Sequence, residues 1–184
     1  MVNKHNLMSQ LIFKFPFKTK YFEQDYYVSS NNFSTYKLIE SCPSWPRRWV
    51  NFFGPHGCGK THLSNILKKK INRSIILDAK NITNQTISNI EKIDCLIIDN
   101  YNSDIDEKLF YSILNQIKQL DRYIVVNSDM PIKNMKFKLK DLKSRSESFI
   151  SLGVELPTDE LLRVIISKFF SDKQIEISPK ISEY

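Results

Sequence analysis

One short stretch constrains this chain more than any other: residues 49–61, which read WVNFFGPHGCGKT. Three of the chain's four glycines lie here, in the spacing G-x-x-x-x-G-K-T that runs from Gly54 to Thr61. This spacing is that of a phosphate-binding loop, whose glycines let the backbone approach a phosphate closely. An apolar run precedes the loop and apolar residues at helical spacing follow it, as a strand–loop–helix unit requires. The context favours a nucleotide site over a glycine loop that binds nothing.

The residue types inside the loop predict individual contacts with a nucleotide. Backbone amides from Gly57 to Thr61 should face the α- and β-phosphates, and the following helix should direct the positive end of its dipole at them. The Lys60 ammonium should reach the β- and γ-phosphate oxygens, and the Thr61 hydroxyl should bind Mg²⁺. The predicted cofactor-binding residues of the loop are Gly57, Cys58, Gly59, Lys60, Thr61 and His62.

Length and composition exclude several classes of protein. At 184 residues the chain is expected to form one domain. No apolar run approaches the roughly 20 residues of a membrane span, and the N-terminus lacks a signal-peptide pattern. We therefore expect a cytoplasmic protein with no membrane partner. The three cysteines, Cys42, Cys58 and Cys95, have no metal-binding spacing and are expected to be reduced thiols.

The net charge of +7 leaves two interpretations open. The lysines at 68–70 are expected to end a helix, where cations complement the helix dipole. A second group of lysines lies between residues 133 and 143. Either these lysines form solvated faces, or they form a patch that contacts DNA or a partner protein.

Short apolar runs alternate with helical patterns along the chain. Strands are predicted at 49–53, 74–78, 94–99, 123–127 and 148–155, and helices at 32–41, after residue 60, at 83–90, from Asp104 and from Thr158. Asp104 and Glu107 have the spacing of a capping box at the start of their helix. Runs that are apolar at consecutive positions are typical of central strands in a parallel sheet. The alternation predicts an α/β fold with a parallel sheet flanked by helices.

Polar residues at the ends of predicted strands indicate the chemistry of the site. Asp99 ends the third strand, where P-loop proteins have a carboxylate that holds Mg²⁺. Asn100 follows where many such ATPases have a second acid, and an amide is a much weaker base, so we expect slow intrinsic hydrolysis. Asn127, Ser128 and Asp129 end the fourth strand at the same edge, where a polar residue can contact the γ-phosphate or the attacking water, and Asp129 could equally be a turn residue. Arg145 is either a surface residue or an arginine that acts on another subunit's nucleotide.

A short segment near the N-terminus has two interpretations. Residues 10–15 read QLIFKF, and Leu11, Phe13 and Phe15 alternate with other residues as in an extended strand. The segment could form an edge strand of this domain. Alternatively, it is a peptide that docks into pockets of another protein, with Gln10, Leu11, Phe13 and Phe15 as its contacts.

Several motifs, taken together and in this order, resemble those of the DnaA-related AAA+ family. They are YYVSSN (26–31), the loop (54–61), IIDN (97–100), SDMP (128–131), DLKSR (141–145) and LLR (161–163). The likeness runs from about Gln10 to the end of the chain. Within the family it is closer to the Hda proteins, the regulatory inactivators of DnaA. We expect no C-terminal DNA-binding domain, Asn100 replaces the second acid, and residues 10–15 look like a sliding-clamp-binding peptide.

The resemblance implies a P-loop AAA+ core with a five-stranded parallel sheet. It implies ADP or ATP as the cofactor, with Mg²⁺ held by Thr61 and Asp99, and adenine near Tyr27 and Val28. It identifies Asp129 as the sensor 1 residue and Arg145 as an arginine finger that acts in trans. The catalytic residues that it implies are Asp99, Asn100, Asp129 and Arg145.

The resemblance also implies two protein partners, DnaA and the DNA polymerase III sliding clamp (beta subunit). Such a protein sits on the DNA-loaded clamp and promotes hydrolysis of DnaA-bound ATP, which resets the initiator. Gln10, Leu11, Phe13 and Phe15 would contact the clamp, although aliphatic residues are more usual at the positions of the two phenylalanines. Contacts with DNA through the clamp and with other copies of the chain stay open.

The same resemblance implies that the chain has three parts. Residues 1–20 form a leader with the clamp-binding peptide, residues 21–175 form the nucleotide-binding core, and residues 176–184 begin a helical lid. We expect the C-terminal helical lid to be largely absent from this chain.

Overall fold

A single parallel sheet forms the centre of the fold. The computed structural model describes residues 23–30, 32–102 and 104–174. Within them the strands pair in the order β2-β3-β4-β1-β5, and all neighbours are parallel. The strands are β1 (Trp49–Phe53), β2 (Ser74–Asp78), β3 (Cys95–Tyr101), β4 (Tyr123–Ser128) and β5 (Ile150–Gly153). The predicted five-stranded parallel sheet is confirmed, and β5 is shorter than the predicted strand 148–155.

Helices connect and cover the strands in the described part of the chain. They are α1 (Phe33–Glu40), α2 (Lys60–Lys70), α3 (Asn84–Asn89), α4 (Glu107–Gln119), α5 (Lys140–Ser146) and α6 (Asp159–Ser171). The predicted start of α6 is confirmed, because the Thr158 side chain accepts a hydrogen bond from the Leu161 amide. None of these helices combines the length and apolar character that a membrane crossing requires.

Alternate residues of the central strands face opposite sides of the sheet. Val50 and Ile97 pack in the cluster that includes residues of α1 and α2, whereas Leu96 and Ile98 pack with residues of α4 and α5. The central strands are buried on both faces, which explains why their sequences are apolar at consecutive positions. The same alternation places Asp99 on the α2 side, because it follows Ile97 by two residues.

The predicted cap of α4 is wrong. Asp106 is the N-cap residue, and its carboxylate accepts hydrogen bonds from two amides of the first turn, the shorter at 2.8 Å. The Asn102 side chain accepts a hydrogen bond of 3.0 Å from the Asp104 amide, which keeps this segment in a turn. Glu107 completes no capping box and accepts hydrogen bonds from the backbone at residues 138 and 139 instead.

This correction gives a stability prediction. Asp106→Ala should lower the free energy of unfolding by about 1 kcal/mol, because it leaves first-turn amides of α4 without their partner. Asp104→Ala is the matched control and should change the stability by less than about 0.5 kcal/mol, as surface substitutions do. Urea denaturation of both variants measures the difference. Equal losses would contradict the assigned cap.

The two flanking segments proposed from the sequence lie outside the described residues. They are the leader at 1–20, with its predicted contacts Gln10, Leu11, Phe13 and Phe15, and the start of a lid at 176–184. Both stay predictions, and so does the boundary of the core between them.

Candidate nucleotide-binding site

The loop predicted to bind phosphate follows β1 at the carboxyl edge of the sheet, where open α/β folds bind their ligands. A Cβ atom on Gly54 would lie 1.9 Å from the backbone oxygen of Val154, so only glycine fits there. Gly59 caps α2 with a φ of 101°, which glycine adopts without strain. The glycines therefore let the loop pack against the end of β5 and turn directly into the first turn of α2.

The Lys60 ammonium lies inside the loop. Its Nζ donates hydrogen bonds to the backbone oxygens of Gly54 (2.6 Å) and Pro55 (2.9 Å), and the residue is 8% exposed. Asp129 places a carboxylate oxygen 3.8 Å from the same Nζ, with its side chain 83% exposed. A buried charge requires such partners, and phosphate oxygens can replace them. Lys60 is thus held at the loop, beside the exposed Asp129 carboxylate.

Thr61 and Asp99 provide oxygens that suit a magnesium ion. Thr61 Oγ1 donates a hydrogen bond of 2.8 Å to Asp99 Oδ2. Neighbouring ligands of an octahedral Mg²⁺ lie about 2.9 Å apart, so these two oxygens fit one ion. No cluster of three His, Cys, Asp or Glu side chains in the described residues could hold a metal alone. An ion here would take its other ligands from a nucleotide and water.

A β-bulge separates Asp99 from its neighbour Asn100. The register of β3 against β4 shifts here, so that both residues oppose Asn127. Asn100 has a φ of 57°, and its side-chain amide donates a hydrogen bond of 2.8 Å to Asp78 Oδ2 at the end of β2. This hydrogen bond is the main cause that lowers the pKa of Asp78. Asn100 therefore lies beside the site with its amide engaged by β2.

A cavity of about 550 Å³ lies against the loop. The predicted site residues that line it are Gly57, Gly59, Lys60, Thr61, His62, Asn100 and Asp129. Cys58 is buried beneath the loop, with its Sγ 3.7 Å from Lys60 Nζ. The cavity brings the Lys60 ammonium, the Thr61 hydroxyl and the ends of two strands together, a combination that suits a polyphosphate chain.

A smaller cavity of about 140 Å³ shares Gly57, Gly59 and His62 with the first. Its remaining lining includes the aromatic and apolar side chains of Tyr26, Tyr27, Pro157, Leu161 and Ile165, together with Asp25, Ser29, Asn32 and Glu155. Flat apolar surfaces beside a phosphate site suit a purine base. The predicted position of Tyr27 beside the base is compatible with this cavity. Val28 is 43% exposed and lies outside its lining.

Tyr26 forms the wall of the smaller cavity next to the loop. Its ring stacks on Tyr36 with a centroid distance of 5.8 Å and meets His62 edge-on at 5.2 Å. A Cβ atom on Gly59 would lie 3.4 Å from the Tyr26 ring. Burial raises the pKa of the Tyr26 hydroxyl, which therefore stays neutral. The aromatic segment before α1 thus packs directly on the turn that begins α2.

Arg145 lies at the opposite edge of the sheet from the loop. It is in the last turn of α5, and it lines a cavity of about 280 Å³ with Trp49 and Arg122, which lie at the amino ends of β1 and β4. The five residues of β1 span about 16 Å between this edge and the loop. An arginine side chain is much shorter than that, so Arg145 cannot reach the nucleotide site of its own chain.

The cavity around Arg145 is strongly cationic. Its charged lining consists of Arg47, Arg48, Lys118, Asp121, Arg122 and Arg145. Arg48 pairs with Asp121 and Arg122 pairs with Asp94, each at 2.8 Å. The guanidinium of Arg145 lies 5.3 Å from the ring centroid of Tyr111, and no carboxylate of the described residues is within ion-pair distance of it. Its charge is therefore available to an external anion.

The sequence did not predict the contacts that three side chains make at the site. Tyr26 entered only as part of a motif, Ser64 was assigned no contact, and Asn127 was considered only as one of the polar residues at the end of the fourth strand. The sequence did indicate a buried contact for Asn127, because a polar side chain inside a buried strand needs a hydrogen-bond partner. It follows Val125 by two residues, which places it on the α2 side with Ser64.

A phosphate loop at the carboxyl edge of a parallel sheet defines a P-loop nucleotide-binding protein. A family model with the description "RNA helicase" matches residues 50–142, about half of the chain. The chain therefore belongs to the P-loop family that this model describes, among the DnaA-related AAA+ proteins. The matched segment runs from β1 into α5 and so includes the phosphate loop, Asp99 and Asn127.

Known proteins support the DnaA relationship. The chain is 23% identical to the chromosomal replication initiator protein DnaA of Symbiobacterium thermophilum, over 90% of this chain and 42% of that protein. Two solved structures share the fold at 21% identity: a DNA replication initiation factor (TM-score 0.72; 90% of this chain, 58% of that one) and the replication initiator DnaA bound to AMPPCP and single-stranded DNA (0.68; 91% and 59%). The chain spans less than half of the DnaA sequence that it matches.

Proposed function

We propose that this chain is an adenine-nucleotide-binding regulator that promotes hydrolysis of ATP bound to DnaA, in the manner of the Hda proteins. The observation that carries the proposal is the position of Arg145. Its guanidinium lies on the edge of the sheet opposite the chain's own loop, where it is available to an external anion. An arginine in this position serves a partner's nucleotide, where it stabilises charge on the transferring phosphoryl group.

The bound nucleotide is proposed to be ADP or ATP with Mg²⁺. The 550 Å³ cavity would hold the phosphates, with Lys60 at their oxygens and with Thr61 and Asp99 on the metal ion. The 140 Å³ cavity beside Tyr26 would hold the base. Mg²⁺ would supply charge neutralisation of the phosphates, while the loop orients them. A DnaA structure of the same fold is described as bound to AMPPCP, which agrees with this choice.

We expect the chain to keep its own nucleotide rather than hydrolyse it quickly. Asn100 occupies the position after Asp99 and lines the phosphate cavity, but its side chain is an amide that donates to Asp78 and offers no basic group. An amide cannot accept a proton from an attacking water as a carboxylate does. The nucleotide then acts as a ligand that holds the loop in place, and Asp129 could contact its γ-phosphate.

The leader supplies the proposed tether. Gln10, Leu11, Phe13 and Phe15 would occupy pockets of the DNA polymerase III sliding clamp as an extended peptide, and any contact with DNA would come through the loaded clamp. Attachment to the loaded clamp would raise the effective concentration of the regulator near DnaA on the same DNA. The alternative, in which residues 10–15 form an edge strand of this domain, predicts a structural role for the same side chains.

The direct test measures hydrolysis of DnaA-bound ATP on clamp-loaded DNA, with and without the chain. We expect acceleration only when both the chain and the loaded clamp are present. Binding to the clamp without acceleration would overturn the proposal in favour of a tethering module. Omitting the clamp, while the other components stay the same, is the matched control.

A leader variant tests the tether separately. Changing Gln10, Leu11 and Phe13 together to Ala should weaken clamp binding by at least about 100-fold, because large apolar anchors carry most of a peptide's affinity. The melting temperature should change little. Ile12→Ala with Lys14→Ala is the matched control from the other side of the same segment. Surface plasmon resonance on immobilised clamp measures binding, and a large loss of thermal stability would indicate a core strand instead.

A second candidate function is a DnaA-like ATPase that acts on DNA by itself. The curated relatives favour it, since they are DnaA proteins. The exposed lysines between residues 133 and 140 would then contact the DNA backbone. This candidate predicts appreciable ATP turnover by the isolated chain, and Lys60→Ala would abolish that turnover. Slow turnover by the isolated chain together with acceleration of DnaA hydrolysis excludes it.

A further inference from the structure

A buried polar network connects α2 with the ends of β3 and β4. Asn127 and Ser64 are both fully buried, and Asn127 Nδ2 donates hydrogen bonds to Ser64 Oγ (2.8 Å) and to Asp99 Oδ1 (2.9 Å). An ionised carboxylate only accepts hydrogen bonds, so the nitrogen of the amide must face Asp99. The orientation of the Asn127 side chain is therefore fixed by the carboxylate that we expect to hold Mg²⁺.

The network gives the two oxygens of Asp99 different surroundings. Oδ1 accepts from Asn127 Nδ2 and from the Asn100 backbone amide, the latter at 3.0 Å. Oδ2 accepts from the Thr61 hydroxyl alone among the bonds of the described residues. One oxygen is thus held by the β3–β4 frame, and the other faces the metal-binding hydroxyl of the loop.

The side-chain oxygen of Asn127 lacks a hydrogen-bond partner among the described residues. This atom, Oδ1, is buried. A second buried asparagine, Asn51, offers a direct comparison. Its Nδ2 donates to Val126 O and Ser128 Oγ, both at 2.8 Å, and its Oδ1 accepts from the Ile132 amide at 2.9 Å.

The two asparagines therefore differ in their hydrogen bonding. Every polar side-chain atom of Asn51 has a hydrogen-bond partner, as expected of a structural residue, whereas the unpaired side-chain carbonyl of Asn127 lowers the stability of the fold. This loss of stability is explained if the role of Asn127 is to orient the Asp99 carboxylate. Asn127 also lines the phosphate cavity, which Asn51 does not.

We propose that Asn127, supported by Ser64, is a positioning residue that presents Asp99 Oδ2 to Mg²⁺ and makes nucleotide affinity depend on magnesium. The inference rests on the nucleotide binding proposed above. Hydrogen bonds to a carboxylate ligand orient it and tune its affinity for the ion, and losing one typically weakens metal binding by 10- to 100-fold. The network should therefore act on the metal ion more than on the nucleotide.

Calorimetric titration with ADP, in Mg²⁺ and in excess EDTA, tests the inference. The measured quantity is the dissociation constant for ADP in EDTA divided by the dissociation constant in Mg²⁺. In Asn127→Leu, which keeps the volume but removes both polar atoms, this ratio should fall by about tenfold. In Ser64→Ala, which keeps the bond to Asp99, it should fall by a smaller factor of about two to three. Asn51→Ala is the matched control, and its ratio should equal that of the unmodified chain even if its melting temperature drops.

The outcomes separate this inference from the proposed function. An Asn127→Leu variant that retains the full magnesium ratio, as the control does, would overturn it. If Asn127→Leu fails to fold, Ser64→Ala decides, and an unchanged ratio there counts against the inference. Equal ADP affinity of the unmodified chain in Mg²⁺ and EDTA would also overturn it, while nucleotide binding would stand. Absence of ADP binding in both buffers would overturn the nucleotide proposal and this inference with it.

Discussion

Arg145→Ala should reduce the stimulation of DnaA's ATP hydrolysis by about 10³-fold or more, which is the range known for arginines that act in trans. The guanidinium is held over the Tyr111 ring at the cationic edge of the sheet, and no carboxylate of the described residues neutralises it. Its removal takes away charge that forms favourable contacts only in the transition state of the partner's reaction. Single-turnover hydrolysis of radiolabelled ATP on DnaA measures the change.

Two further variants make this test specific. Arg145→Lys keeps the charge but loses the planar fork, so it should retain only a small part of the stimulation. Arg48→Ala is the matched control: Arg48 lines the same cavity but already pairs with Asp121, and its loss should change stimulation by less than about threefold. Clamp binding should be the same in all variants. If Arg48→Ala and Arg145→Ala reduced the stimulation equally, the cavity would act through its overall positive charge, and Arg145 would not be an arginine finger.

The second large effect is expected at the loop itself. Lys60→Ala should weaken binding of ADP and ATP by at least about 100-fold. It removes charge-assisted hydrogen bonds to phosphate oxygens, and about 1.5–3 kcal/mol per bond corresponds to one to two powers of ten. The ammonium already lies inside the loop at Gly54 and Pro55, so no rearrangement is needed to bring it there. Calorimetry and the nucleotide-dependent rise of the melting temperature measure the loss.

The control for this variant lies on the same helix. Lys68→Ala removes an exposed ammonium from the last turn of α2 and should leave nucleotide affinity within about twofold. Unchanged affinity in Lys60→Ala would show that the loop does not hold the phosphates. If stimulation of DnaA persists in a Lys60→Ala chain that binds no nucleotide, the cofactor is not required to present Arg145.

The sequence predicted the sheet well because its signals are local. Buried parallel strands are apolar at consecutive positions, so the bounds of β1 and β2 agree with the prediction to the residue. The loop glycines are needed for backbone geometry, as the contact between Gly54 and Val154 illustrates. The position of Asp99 at the carboxyl edge was predictable because it is the first polar residue after the apolar run of its strand, although β3 continues two residues further, to Tyr101.

The features that the sequence did not reveal depend on contacts between distant segments. Asn100 lines the phosphate cavity, but the β-bulge also brings its side-chain amide to Asp78 Oδ2, and no local pattern marks that bulge. Asp106 caps α4 in place of the predicted Asp104, whose amide donates to the Asn102 side chain in the preceding turn. The hydrogen bond between Ser64 and Asn127 joins residues 63 positions apart, which periodicity alone cannot pair.

The placement of the loop and Arg145 at opposite edges of the sheet restricts the symmetry of any assembly. A contact in which the Arg145 edge of one molecule meets the loop edge of another end to end joins two different surfaces, so it is heterologous. If copies of this chain associate in that way, each pair leaves one loop and one Arg145 unused, and further molecules can add in the same orientation. A twofold dimer that used both surfaces would instead have to place its two molecules side by side and antiparallel, with each Arg145 at the other molecule's loop.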